Sequence, residues 1–254
     1  MAIDKAIDSA QLAADLAGVA NAIRAKSGGS SPLAFPAGFV SEAAKALSVN
    51  DLADLSKPSG PIRISAAEIG EYAFNRRSGI TDIDGTGVTA LGNRAFELCV
   101  NLERAWFPDL TTVSSGYNYI FSQAGTSSLN GVVVLPALTK TGGAMFQEGS
   151  FKAVDLGPNC TGLGADAFHT SGDSAIVEAV ILRRTAAIVT AASQRAIDGV
   201  RDVWVPNALI DSYKAANNWK TRVDAGLITF HAIEGSVYEN RYADGTAISQ
   251  GAAE

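Results

Sequence analysis

The sequence predicts an α+β fold: a solenoid of short stacked β units, with a brief helical segment before it and a cap after it. Three observations carry that prediction. Five segments of similar sequence recur at nearly constant spacing. A short run of alternating apolar residues follows each of them. The two ends of the chain lack the pattern. Internal periods of roughly 20–50 residues are the mark of repeat architectures, in which neighbouring units bury each other's apolar side chains.

Residues 1–50 read as a helical attachment or oligomerisation segment, or as a simple helical cap on the first repeat. Leu12 to Ile23 places apolar residues at helical spacing, Lys26 and Gly28 supply a stop, and Phe39 to Leu47 suggests a second, shorter helix. Residues 51–61, with Ser56-Lys-Pro-Ser-Gly60, read as a linker.

The repeat occupies residues 62–209. Its first element appears as Ile69-Gly-Glu-Tyr-Ala-Phe74, Leu91-Gly-Asn-Arg-Ala-Phe96, Gly116-Tyr-Asn-Tyr-Ile-Phe121, Gly142-Gly-Ala-Met-Phe146 and Leu163-Gly-Ala-Asp-Ala-Phe168. The phenylalanines lie 22, 25, 25 and 22 residues apart. The glycine ahead of each is expected to let the backbone turn tightly. The second element reads as a strand with one buried face, as in Leu102-Glu-Arg-Ala-Trp-Phe-Pro108, Leu129 to Pro136, Phe151 to Pro158 and Val200 to Pro206. Ile80 to Ile83 and Val177 to Leu182 are versions without proline. A sixth unit, Ala186–Leu209, has no phenylalanine in Ala191–Ile197.

These motifs resemble the BspA-like leucine-rich repeats over roughly residues 62–209, most clearly in the first, second and fifth units. Cys99, three residues after Phe96, fits that family's pattern. Cys160 aligns with Leu110 and Leu138, each followed by threonine. Both cysteines are therefore expected to pack in the core rather than bind metal or form a disulfide.

Residues 210–254 are expected to close the array and then run out as an extended tail. Asn207 is expected to cap a helix that carries Leu209, Tyr213 and Trp219 on one face. Two end segments also resemble phage proteins. Ala20 to Gly29 with Leu33 to Phe39 is similar to the N-terminal segment of phage and prophage tail-associated proteins. Val205 to Trp219 resembles the closing segment of phage-encoded BspA-like repeats. The resemblance implies a virion structural protein made in the host cytoplasm, a tail, tail-tip or fibre component acting in assembly and host adhesion. Its partners would be other virion proteins, a host surface protein or glycan, and further copies of the chain, as in a trimer. Two rival readings remain: a bacterial surface or secreted adhesin, and a glycan-active enzyme on a repeat scaffold.

Composition narrows the chemistry. The 254 residues are 47% hydrophobic and 18% charged, with a net charge of -6. That balance disfavours nucleic acid as a partner. The first residues hold Asp4, Asp8 and Asp15 and give no leader pattern, and no run is long enough to predict membrane insertion. No catalytic constellation is evident, and neither a cofactor nor a metal is expected. The two histidines, His169 and His231, are isolated. Asp82-Ile-Asp84-Gly85 lacks the distal glutamate of a calcium loop.

What the sequence offers instead is a strand face. Alternation places Asp84, Trp106, Val134, Asp155, Ile181 and Trp204 in one outward row, and Asp82, Arg104, Val132, Ala153, Ala179 and Asp202 in a second. Trp106, Trp204, Arg104, Val132, Val134 and Ile181 are the candidate partner-binding or subunit-interface residues. Three arrangements satisfy this pattern: a partner covers the face, the N-terminal helix of the same chain covers it, or a one-residue shift of register buries the tryptophans.

Overall fold

The structure is a computed structural model that describes residues 60–128, 130–172 and 177–248. The predicted helices of residues 1–50, most of the predicted linker and the last six residues lie outside the described residues.

An eight-stranded sheet dominates, and all its strand pairs are parallel. Its strands in spatial order are β1 (Gly60–Arg63), β3 (Ile80–Asp84), β5 (Arg104–Trp106), β7 (Val132–Leu135), β8 (Phe151–Leu156), β10 (Val177–Leu182), β12 (Val200–Val205) and β13 (Thr229–Ala232). Spatial order follows chain order, so each unit adds one strand beside the last. Two small parallel sheets run beside it: β2 (Glu68–Ile69), β4 (Ala90–Leu91) and β6 (Thr112–Val113) in one, and β9 (Gly162–Leu163) with β11 (Thr190–Ala191) in the other. The arrangement is a repeat fold.

Register is the decisive check on the strand reading. The pairs run Asp84–Trp106–Val134–Asp155–Ile181–Trp204 in one row and Asp82–Arg104–Val132–Ala153–Ala179–Asp202 in the next. Both rows are those the alternation predicts and run without a shift, while a register shift between Gly60 and Pro61 of β1 lies outside them. The intervening row, Ile83, Ala105, Val133, Val154, Val180 and Val203, points the other way and is fully buried.

Across the core from that row, the five predicted phenylalanines form one continuous stack. Phe74, Phe96, Phe121, Phe146 and Phe168 lie with successive centroids 5.2, 5.5, 5.6 and 4.9 Å apart and rings within 7° of parallel. Ile197, 0% exposed, stands at the end of the stack, where the Phe168 amide donates to Ala196 O at 3.2 Å. A phenylalanine per unit gives each ring two apolar faces to cover, and only the next unit can cover them.

Gly116 of the third unit, at φ 84°, makes the tight turn expected of it, whereas the glycines of the second and fifth units have a different role. The left-handed backbone falls two residues before each ring, at Tyr72, Arg94, Tyr119, Ala144 and Asp166, and two residues after the first four, at Arg76, Leu98, Gln123 and Glu148, with φ between 49° and 61°. These residues cost roughly 1–2 kcal/mol each in that conformation. Inter-unit hydrogen bonds hold them there: Tyr72 N donates to Asn93 O at 2.9 Å, Phe74 N to Ala95 O at 2.8 Å and Arg76 N to Glu97 O at 2.8 Å. The glycines permit close approach. A Cβ at Gly92 would lie 2.5 Å from Glu71 N, and one at Gly164 would lie 2.5 Å from Gly142 C.

Both cysteines are free and buried, as the repeat predicts. Cys160 fills the leucine position, with Leu110 and Leu138 also 0% exposed. Cys99 Sγ donates to Phe74 O at 3.2 Å. Burial pushes the Cys99 thiol up to about 12 and the Cys160 thiol up to about 11, from an ordinary value of 9.0. It raises the Tyr213 phenol as well. All three folded values lie above the unfolded ones. The stabilisation from keeping them neutral is therefore complete below about pH 9 and is lost as pH rises toward 12. We expect the urea midpoint to hold steady up to pH 8.5 and then fall. The fall should become shallower in Cys99→Ala/Cys160→Ala. An unchanged alkaline slope in that variant would show that the thiols are not responsible.

The closing segment departs from its predicted outline. A 3-10 turn (Asn207–Leu209) leads into α1 (Ile210–Ala215); after a break, Asn218 at φ 66° precedes α2 (Trp219–Asp224). Asn207 does not cap with its side chain; its amide donates to Glu234 Oε2 at 2.8 Å. Tyr213 and Trp219 are core residues, 0% and 1% exposed. Val189 satisfies both polar tips: its N–H donates to Tyr213 Oη at 2.8 Å, and its carbonyl accepts from Trp219 Nε1 at 3.0 Å. The chain then returns as β13, whose Phe230 pairs with Val203 and packs on Tyr213 and Trp219.

Candidate functional site

The outer rows of the large sheet were the expected binding face. Their side chains do point away from the main core, but the face is not open. Residues 233–248 fold back over it. Ile233 and Ala243 join Val132, Ala153, Ala179, Ile181, Trp204 and Tyr238 in a second apolar cluster. Tyr242 meets Trp106 edge-on at 5.4 Å, and Tyr238 meets Trp204 edge-on at 5.1 Å. His231 of β13 stacks on Trp204 at 4.6 Å and its Nε2 lies 2.6 Å from Asp202.

This corrects two expectations. The C-terminal segment is not an extended tail over its described part. The face that Trp106, Trp204, Arg104, Val132, Val134 and Ile181 share is covered from within the chain by the C-terminal segment. Val134 and Ile181 are 0% exposed. Trp106, Trp204, Arg104 and Val132 are half-buried. The physical reason is simple: an apolar row of this length gains more by burial under its own chain than by exposure to water.

A buried ion pair clasps the strap to the sheet. Arg183 Nε and Nη2 donate to the two oxygens of Asp155, both at 2.7 Å, with side chains 8% and 0% exposed. The same guanidinium donates to Tyr238 O and Arg241 O, each at 2.7 Å. Ala243 N donates to Asp155 Oδ2 at 2.9 Å. Burial pushes the Asp155 carboxyl up, and Arg183 opposes that shift. Arg104 makes a second anchor, 2.9 Å from Asp244 and 3.4 Å from Asp82. The role of Arg183 was not legible in sequence because its partners lie 28 to 58 residues away.

A different surface stands free. Of the left-handed residues ahead of the rings, Tyr72 is exposed and Arg94 and Tyr119 are half-buried, whereas Ala144 is buried. Tyr72 is 49% exposed. The Arg94 guanidinium lies 4.4 Å over the Tyr119 ring, and Glu97 holds it from below. Tyr117, 52% exposed, stacks on Tyr119 at 6.0 Å, and its hydroxyl donates to Asp166 Oδ2 at 3.2 Å. Tyr117 also walls a groove of about 320 Å³ whose floor is glycine backbone at Gly142, Gly143 and Gly164. A signal for this surface does exist in the sequence. Tyr117 occupies the position, four before the phenylalanine, where Gly70, Gly92, Gly142 and Gly164 stand in the other units.

Residues 55–173 match the model of the BspA type leucine-rich repeat region, in 6 copies. The chain carries a BspA-type leucine-rich repeat region. No curated protein matches it in sequence. Repeats of this family are typically non-enzymatic scaffolds. The match ends before β10, and the parallel pairing of β10, β12 and β13 continues the sheet beyond the matched BspA-type residues. Among the described residues no group of His, Cys, Asp and Glu is placed to hold a metal ion, and no helix is long and apolar enough to cross a membrane.

Proposed function

We propose that the protein is a non-catalytic solenoid that works as a virion structural component, attached through residues 1–50 and presenting the repeat array to a host surface. The observation that carries the binding role is the row Tyr72–Arg94–Tyr119, exposed at Tyr72 and half-buried at Arg94 and Tyr119, with exposed Tyr117 beside it. A repeat array lifts one side chain per unit onto a common surface at the ~4.8 Å spacing of paired strands. Tyrosine and arginine are the residues that most often anchor an interface. Support for the virion setting is the similarity of residues 20–29 and 33–39 to the N-terminal segment of phage tail-associated proteins and of residues 205–219 to the closing segment of phage-encoded BspA-like repeats. The strap redirects the reading from Trp106 and Trp204 to this second surface.

Light scattering tests the attachment role. The full chain should be a homo-oligomer, and a chain starting at Ser59 should be monomeric with unchanged circular dichroism. Equal masses for the two would remove residues 1–58 from that role. Fluorescently labelled full chain should decorate cells of at least one strain in a bacterial panel. Unlabelled cells throughout would end the adhesion reading.

A further inference from the structure

Resting on that adhesive reading, we propose that the groove beside Tyr117 binds a neutral glycan, with a sugar ring stacked on Tyr117, whose ring Tyr119 backs at 6.0 Å.

The chemistry of the groove selects this ligand class. Its walls offer an exposed aromatic ring and the exposed hydroxyls of Ser114 and Ser115. Lys140 is the single charged residue in its lining. A pyranose ring presents the complement: a flat face of C–H groups and a rim of hydroxyls. Beside the groove runs a column of exposed threonines. Thr139 Oγ1 donates to Thr111 O at 2.9 Å, Thr161 Oγ1 to Thr139 O at 3.1 Å and Thr190 Oγ1 to Thr161 O at 3.3 Å. Each hydroxyl spends its proton on the backbone and keeps its lone pairs outward, where they accept from a ligand hydroxyl.

Other ligands fit less well. A peptide adding as a strand needs unpaired backbone groups. Here Gly143 N already donates to Gly116 O at 2.7 Å, and Gly143 O accepts from Asn118 N at 2.9 Å. A peptide side chain needs a pocket, and the floor is closed backbone. A single nucleic-acid strand would stack on tyrosines too, but one lysine and a net charge of -6 leave its phosphates unmatched. At about 320 Å³ the groove sits at the small end of the ~300–1,000 Å³ range of ligand clefts, which suits a short stretch of a chain.

Affinity electrophoresis of the full chain through gels holding soluble glucan, mannan, galactan or an N-acetylglucosamine polymer tests this directly. At least one polymer should retard the protein. Tyr117→Ala/Tyr119→Ala should weaken that retardation about tenfold at an unchanged melting temperature, whereas Tyr117→Phe, which keeps the ring, should retain it. No retardation by any polymer would overturn the proposal, and so would retardation that survives the double substitution. Cell labelling separates this failure from that of the wider reading. Labelling lost after periodate oxidation of the cells supports the glycan. Labelling that survives periodate and is lost after protease leaves adhesion standing and overturns the glycan.

Discussion

Replacing Phe121 by alanine should destabilise the protein by about 3–5 kcal/mol, the largest effect expected of any single core truncation. Phe121 is 0% exposed and lies between two parallel rings, Phe96 at 5.5 Å and Phe146 at 5.6 Å, with Phe107 at 6.2 Å to the side. Removing it opens a cavity that neither neighbour can fill, because each is held by its own unit. It also divides the stack in the middle, where the coupling between units is carried. Urea denaturation followed by circular dichroism should show a lower midpoint and a broader transition, as the two halves begin to unfold separately. Phe74→Ala, at the end of the stack with a single ring neighbour and 6% exposure, should cost less. Equal losses for the two would mean that the rings do not couple the units.

Arg183→Ala is expected to cost a similar ~3–5 kcal/mol and to free the strap. The substitution leaves the Asp155 carboxylate buried beneath residues 238–243 with only the Ala243 amide for a partner. It also removes the donor from Tyr238 O and Arg241 O. The cheapest relief is for the strap to lift and let water reach Asp155. Limited proteolysis should then cut within residues 233–248, and the exposed Trp106 and Trp204 should shift their fluorescence to the red. Asp155→Asn/Arg183→Met, which removes both charges, should recover part of the loss, since much of the penalty is the unpaired charge. A strap that stays protected in Arg183→Ala would show that the aromatic contacts of Tyr238 and Tyr242 suffice to hold it.

Both predictions bear on how much of the molecule could be read from the chain alone. The phenylalanine spacing, the leucine position taken by Cys160 and the two outer rows of the sheet follow from local periodicity. Strand alternation is a property of the backbone, so once the repeat is aligned the register has little freedom. The glycines were legible as necessary, but the reason for those of the second and fifth units was not. Close approach between units is a distance across the fold, and the left-handed strain sits two residues on either side of the rings, on residues as different as Tyr72, Leu98, Gln123 and Asp166.

The candidate surface moved for the same kind of reason. Sequence placed Trp106 and Trp204 on an outer face and could not say what lay over it. Tyr238, Tyr242 and Ala243 reach that face only after α1, α2 and β13 have turned the chain back, and nothing periodic in residues 233–248 announces it. Conversely, Tyr72, Arg94, Tyr119 and Tyr117 fall at the variable positions of the repeat motif. Tyr72, Arg94 and Tyr119 share a left-handed conformation, which inter-unit hydrogen bonds hold at Tyr72 and Arg94, and Tyr117 lies beside them. The sequence by itself determined the repeat, its register and its core, because each unit's pattern is local and is copied along the chain. Only the tertiary structure decided which face stays open, because that depends on a closing segment whose contacts are long-range and occur once.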